Sequence, residues 1–588
     1  MRRAGRWGTA LAALTVVVAV VTTAPTEAAW TDRAHADHGF GTATWAVDGT
    51  ARARTVHTAL QVIAGDGLQL GLAEVEASPT APGPTSRSVL SAAGGLPLVL
   101  TLDLAAGRLA GAALASRGMD AFPTALELAA AIRAKEVSPT EVMEETLRRV
   151  AERNPALNAV TWIDEEDALR RAKAAEAQVA STPAEDLPPF CGVPIPIKDL
   201  TAVAGWPTTY GSAGAPDDPT DESELVVEAL ERAGFVLAGR TNTPEFGPIT
   251  AAENVRYGIS RNPWDTDRTP GGSSGGASAA TAAGMFAVAH ANDGGGSIRI
   301  PASCCGLVGL KVSRGRVPAL AQAWEGAAVE GVVTHTVADT AAVLDVISGP
   351  DPLGWWSAPP PSRPFAEAAA TDPGRLRVAV VTETPLGLPT DAACVEAAER
   401  TAAALAEAGH EVVDVAPDFH VDEFVISFVT VVNAGLAAYD DRVDWSKVEE
   451  HNRISREGAA EIDSIEYAKA VAALQRWTRR VNAQWGDAFD VLVTPTMAIE
   501  PPPAGKILSE VQADPSNVSP TVFHSVLFTA VFNMNGLPAI SLPVHRSPSG
   551  LPIGAQLVAG PWQEEQLLGV ATQVEQRLPW ADQHPALG

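Results

Sequence analysis

The 588-residue chain is poor in cysteine, with four, and poor in basic residues, with 42 Lys and Arg against 70 Asp and Glu. Each shortage excludes something. Cys191, Cys304, Cys305 and Cys394 form no Cys-x-x-Cys pair, and adjacent thiols at 304 and 305 cannot comfortably share one metal, so free core thiols are expected. No His-Glu-x-x-His or other His-rich spacing occurs, so neither a catalytic metal nor another cofactor is expected. The formal net charge of -28 repels a phosphate backbone, which excludes a nucleic-acid partner; the acidic excess reads as a solubility feature. There is no long hydrophobic run: the apolar stretch at 10–21 is too short to span a bilayer. No internal repeat stands out either. What remains, 46% hydrophobic and 19% charged residues with abundant Ala, Gly and Pro, is the composition of a globular protein.

The chain divides into three parts. Arg2, Arg3 and Arg6, the apolar stretch and the small residues ending at Ala28 and Ala29 predict a signal-peptide-like leader over 1–29. An extension of unknown role, with some strand and a Pro/Ser/Thr-rich linker at 79–88, occupies 30–118. A catalytic domain is expected over 119–588. The leader implies an extracytoplasmic protein if Met1 is the start, and a start at Met119 implies a cytoplasmic one.

Within the third part, Ser138-Pro-Thr-Glu141 predicts a capped helix to about 154. Strand-like runs at 193–197, 235–238, 286–289, 376–381, 489–493, 539–542 and 554–558 alternate with helical patterns at 222–233, 277–283, 392–408 and 564–576. This pattern predicts an α/β fold, a large mixed sheet covered by helices on both faces. The Pro-rich stretch at 351–373 reads as a long surface connection between two halves of one sheet.

Chemistry concentrates in two Gly/Ser turns that flank one helix and one strand: Gly271-Gly-Ser-Ser-Gly-Gly276 and Asn292-Asp-Gly-Gly-Gly-Ser-Ile-Arg-Ile-Pro301. Glycine lets backbone N–H groups approach a ligand, so each turn can hold an anion or an oxyanion. A phosphate loop needs a Gly-Lys-Ser/Thr step, which Gly275-Gly-Ala277 lacks. In the second turn, an Asp293–Arg299 ion pair would brace Ser297, with the N–H groups of Gly294, Gly295 and Gly296 behind it, which is the arrangement of a serine nucleophile with an oxyanion hole. Serine needs a base. His290 ends an apolar strand and reads as a core or supporting residue. Lys198 ends the apolar run Gly192-Val-Pro-Ile-Pro-Ile-Lys-Asp199, where desolvation would lower its pKa and free a lone pair; the competing reading is a buried ion pair with Asp199.

Together with Thr241-Asn-Thr-Pro-Glu245, Cys305-Gly-Leu-Val-Gly-Leu-Lys311 and the endings at 528–541 and 550–557, these motifs closely resemble the amidase signature family over about 120–585. His290-Ala-Asn-Asp293 and Ile300-Pro-Ala-Ser303 are most similar to the branch that contains the 6-aminohexanoate cyclic dimer hydrolases, which does not identify the substrate. The resemblance implies an amidase signature fold and a Ser-Ser-Lys triad of Ser297 as nucleophile, Ser273 as relay and Lys198 as base. It implies a supporting role for Ser274, a cis peptide before Ser273, and an acyl-enzyme on the way from a small-molecule amide to acid plus amine or ammonia. Gly294 stands where many relatives carry a larger residue, and Val312 replaces a common proline. Two other readings are a glutaminase-type subunit of a tRNA-dependent amidotransferase and a noncatalytic surface or binding protein; a homodimer is the assembly allowed for.

Overall fold

A computed structural model describes residues 122–586, together with the backbone of four short strands nearer the N-terminus. Those strands form two antiparallel pairs, Leu14–Val18 with Leu60–Ala64 and Thr85–Ser91 with Pro97–Asp103, inside a unit that ends at Ala112. The rest of the leader and of the extension lies outside the described residues.

In the second unit, Ala113–Gly588, the strands are largely buried, and several are buried along their whole length. Both faces are covered, so the strands read as unbroken apolar segments rather than alternating ones. In chain order these are β1 (Val160–Trp162), β2 (Pro194–Lys198), β3 (Val236–Thr241), β4 (Val288–Asp293), β5 (Val308–Lys311), β6 (Val329–Thr334), β7 (Arg377–Val380), β8 (Glu411–Val413), β9 (Val491–Pro495), β10 (Ala539–Arg546) and β11 (Pro552–Ala559). Eight form one mixed sheet in the order β4-β6-β5-β10-β11-β9-β7-β8, parallel only where β7 meets β8 and β9. The hairpin β10–β11 is the middle of this sheet, with the strands before residue 351 on one side and those after 373 on the other. The Pro-rich connection therefore joins two halves of one sheet, and it carries a short helix of its own, Phe365–Ala369.

β1, β3 and β2 form a smaller sheet whose β2 edge runs beside β4. That adjacency matters for function, because β2 ends on Lys198 and β4 ends on Asp293. The helix expected from Ser138 is α1 (Pro139–Leu157); it has the full capping box with Glu141 and stops where Asn158 turns left-handed at φ 49°. α2 (Gly275–Ala282) is buried at every position, which explains its run of Gly, Ala and Ser: larger side chains would not fit between the neighbouring layers. At Gly276 a Cβ would fall 2.4 Å from the Asn242 backbone nitrogen.

Four strands were not expected from the sequence: β1 and β8, which are three residues each, and β5 and β6. β5 lies in a glycine-containing motif and β6 carries a glycine and a glutamate within its apolar run, so neither stood out by period.

Candidate active site

The site forms where the C-terminal ends of β2 and β4 meet the turn that opens α2. Lys198 is fully buried, and its Nζ lies 2.7 Å from Ser273 Oγ and 2.6 Å from Asn292 Oδ1. An amide oxygen can only accept, so Nζ donates to Asn292; the contact with Ser273 can run in either direction and reverses when the amine is neutral. Burial pushes the Lys198 pKa down to about 7, against the opposing pull of the Glu330 and Asp293 carboxylates. Asp199 is not its ion-pair partner. That carboxylate faces away and accepts from the Thr209 amide at 3.0 Å and the Thr209 hydroxyl, with Arg240 at 4.0 Å.

Ser273 is 2% exposed and follows a cis Gly272–Ser273 peptide. Ser274 ties the two turns together: its Oγ donates to the Asn292 carbonyl at 3.1 Å and its amide to the Ser297 carbonyl at 3.2 Å. Ser297 sits on the turn between β4 and α3 (Arg299–Cys305) and is the partly exposed member of the trio. Its hydroxyl makes no hydrogen bond to any described residue. Of the three, Ser297 alone is therefore open to solvent while Lys198 stays dry.

The brace expected under Ser297 is present and larger than a pair. Arg299 donates through Nε and Nη2 to the two carboxylate oxygens of Asp293, both at 2.9 Å, and both side chains are fully buried. Burial alone would raise the Asp293 pKa, but Arg299, Asn533 and Lys311 outweigh it and hold the carboxyl well below the usual range. Arg299 spends its remaining donors on Asn533 Oδ1 at 2.6 Å, Gln556 Oε1 at 2.6 Å and the Thr529 carbonyl at 3.1 Å. Asn533 Nδ2 returns to Asp293 Oδ1 at 2.8 Å. A buried ion pair is tolerated when its remaining donors and acceptors are satisfied in this way.

One of the three glycine amides is not open. Gly296 N–H donates to Asp293 Oδ1 at 2.8 Å, and Gly296 has φ +131° with Thr529 Oγ1 where a Cβ would go, so it shapes the turn instead of facing a ligand. The amides of Gly294, Gly295 and Ser297 make no hydrogen bond to any described residue. The unengaged amides of the turn are thus those of Gly294, Gly295 and Ser297, and not that of Gly296.

His290 is a supporting residue. Its Nδ1 accepts the Lys198 backbone N–H at 3.4 Å, so the ring proton is on Nε2, which donates to Glu330 at 2.8 Å. Asn292, Glu330, Thr529, Asn533 and Gln556 were missed as site residues by the sequence reading. Asn292 lay inside a quoted motif, and the last three lay in the family-like endings, but nothing local says that these reach the nucleophile turn. All four cysteines are free and buried. Among the described residues no three His, Cys, Asp or Glu side chains group as a metal site requires.

Comparison with known proteins agrees with this geometry. The family described as Amidase matches residues 141–568. A 6-aminohexanoate-cyclic-dimer hydrolase of Paenarthrobacter ureafaciens is 37% identical over 496 residues, covering 80% of this chain and 97% of that protein. An acylamidase of Rhodococcus erythropolis is 35% identical, covering 79% and 97%. The solved structure of 6-aminohexanoate cyclic dimer hydrolase complexed with substrate superposes with a TM-score of 0.74 at 35% identity, covering 79% of this chain and 99% of that one. The α/β sheet, the paired Gly/Ser turns and these matches lead to one conclusion: the chain belongs to the amidase family and is a hydrolase of linear or cyclic amides.

Proposed function

We propose that hydrolysis runs through Ser297 as nucleophile, Ser273 as proton relay and Lys198 as base, on a small-molecule carboxylic amide. The observation that carries this reading is the fully buried Lys198 amine, with its pKa lowered to about 7, 2.7 Å from the Ser273 hydroxyl. At and above neutral pH it offers a lone pair to that proton.

Ser297 Oγ attacks the amide carbonyl carbon as its proton passes to Ser273 Oγ and the Ser273 proton passes to Lys198 Nζ. The carbonyl oxygen takes up the negative charge against the open amides of Gly294, Gly295 and Ser297. When the C–N bond breaks, the same relay returns a proton to the leaving nitrogen. The amine or ammonia departs and an ester remains on Ser297. Water repeats the sequence, releases the acid and restores the three side chains. Asp293 and Arg299 do not move protons; they hold the turn so that its dipoles are already oriented.

Linear N-acyl amides and cyclic diamides are the substrates to try first, because an acylamidase and a cyclic-dimer hydrolase are among the relatives similar in sequence. Labelling by a fluorophosphonate tests the nucleophile directly. The expected result is one adduct on Ser297, abolished by Ser297→Ala. An active preparation that labels elsewhere, or not at all, refutes the assignment. Glutamine-dependent amidation of aminoacyl-tRNA with a second copurifying subunit would move the chain to the amidotransferase reading. The homodimer and the mature start are read by light scattering and by N-terminal sequencing of purified protein.

A further inference from the structure

Gly294 opens the nucleophile turn without a side chain, and the space a side chain would fill is taken. A Cβ built at Gly294 would fall 2.3 Å from Cζ3 and 2.7 Å from Cε3 of Trp324, so the six-membered edge of that indole lies directly on the turn. The opposite edge is seated in the same manner. A Cβ at Gly435 would fall 2.6 Å from Trp324 Cδ1 and 2.6 Å from Nε1. The ring is clasped between two glycines.

Its backbone is held for this purpose. Trp324 and Glu325 both have φ of 55°, and Gly326 follows at φ +72°. Side chains other than glycine rarely occupy that region, and they do so at sites that the surroundings over-determine. Here Arg314 Nε donates to the Gly326 carbonyl at 3.1 Å and Arg314 Nη2 to the Met534 carbonyl at 2.7 Å, while Tyr467 donates to Glu325 Oε1 at 2.8 Å. Trp324 itself is only partly buried and packs against the apolar cluster that holds Phe419, Phe424 and Trp477.

From Gly435 the wall continues. The Gly435–Tyr439 turn carries Tyr439, whose ring stacks on Phe246 at 4.5 Å between centroids. Gly247, next in the chain, lies over the relay: a Cβ there would be 3.4 Å from Ser273 Oγ. Trp324, the Gly435–Tyr439 turn, Phe246 and Gly247 therefore link the turn at Gly294, contact by contact, to Ser273.

We propose that Trp324 is a specificity-determining residue of this amidase: its indole replaces the side chain absent at Gly294 and forms the wall against which the acyl part of the substrate lies. The class selected is an amide with a flat or unbranched apolar acyl chain, which slides along a ring face. Acyl groups branched beside the carbonyl collide with it. This rests on Ser297 being the nucleophile.

The test compares hexanoyl and pivaloyl anilides on wild type, Trp324→Ala and Trp324→Phe, with fluorophosphonate labelling of each. Removing one apolar wall changes discrimination by about tenfold or more. In Trp324→Ala, kcat/KM for the hexanoyl substrate should fall about tenfold, mainly through KM, and the pivaloyl to hexanoyl ratio should rise by at least the same factor. Trp324→Phe should fall between, which keeps the test valid if the alanine variant does not fold. Gly294→Ala should lose activity by collision with the indole, and Trp324→Ala in the same chain should restore part of it. A ratio unchanged within twofold in variants that still label on Ser297 overturns the role of Trp324. Failure of wild type to label on Ser297 would instead overturn the reading of the nucleophile.

Discussion

Asn292→Asp puts a carboxylate where an isosteric amide oxygen now lies 2.6 Å from the Lys198 amine. Only charge changes, apart from a long 3.4 Å contact from Asn292 Nδ2 to Thr201 Oγ1. In wild type, a base pKa of about 7 means that the competent, neutral fraction rises as pH climbs through that value and is lost below it. An opposite charge within a few ångströms stabilises the protonated amine by roughly 1–3 pKa units, each worth about 1.4 kcal/mol. Taking about two units, the neutral fraction at pH 7 drops from about one half to about one hundredth, so kcat/KM falls about 50-fold there; near pH 9 the loss shrinks to about twofold. The assay is kcat/KM on a chromogenic anilide from pH 5 to 10, which reports the free enzyme. The acid limb should move from about 7 towards 9 with little change in the plateau. A limb that stays in place while activity drops equally at every pH would refute Lys198 as the titrating base, as would a wild-type profile flat from pH 5 to 9.

Ser297→Ala and Lys198→Ala should each lower amide turnover by several powers of ten at unchanged circular dichroism; near-normal turnover in pure Ser297→Ala protein would remove it from the mechanism. Arg299→Met leaves Asp293 charged, buried and unpaired, so the urea midpoint should drop by the equivalent of about 3–5 kcal/mol, and a change below about 1 kcal/mol would mean the network carries no stability. The four buried thiols should react with a disulfide reagent only as the catalytic domain unfolds, since burial raises the pKa of Cys304 to about 12 and that of Cys305 well above the ordinary thiol value; a thiol that titrates rapidly in native protein would contradict their placement.

The sequence carried the local parts of this structure well. α1 begins at Ser138 as its capping box requires, and α2, β9 and β11 fall within a few residues of their apolar patterns, because these depend on contacts among near neighbours. The same holds for the nucleophile turn, where Asp293 and Arg299 are six residues apart and meet across glycine backbone. Gly296 shows the limit of that reading. Three consecutive glycines look alike in sequence, yet one amide is turned back onto Asp293 and two are open, a difference set by φ and by the Thr529 hydroxyl packed against Gly296.

By itself, then, the sequence carried a braced serine turn between Asp293 and Arg299, and the reaction class followed from the resemblance of its ordered motifs to the amidase signature family. It could not decide between a lysine base and a Lys198–Asp199 ion pair, because adjacent residues on a strand point to opposite faces and only packing says what each face meets. The tertiary structure removed the ion pair by bringing β2 beside β4, which puts Asn292 and Ser273 on Lys198 and Thr209 and Arg240 on Asp199. Arg299 reaches Asn533 and Gln556 across more than 230 residues of chain, and Trp324 reaches Gly294 from a separate turn. Such contacts leave no periodic trace in a sequence, since their partners are fixed by the closure of the whole sheet around β10 and β11 and not by any local preference.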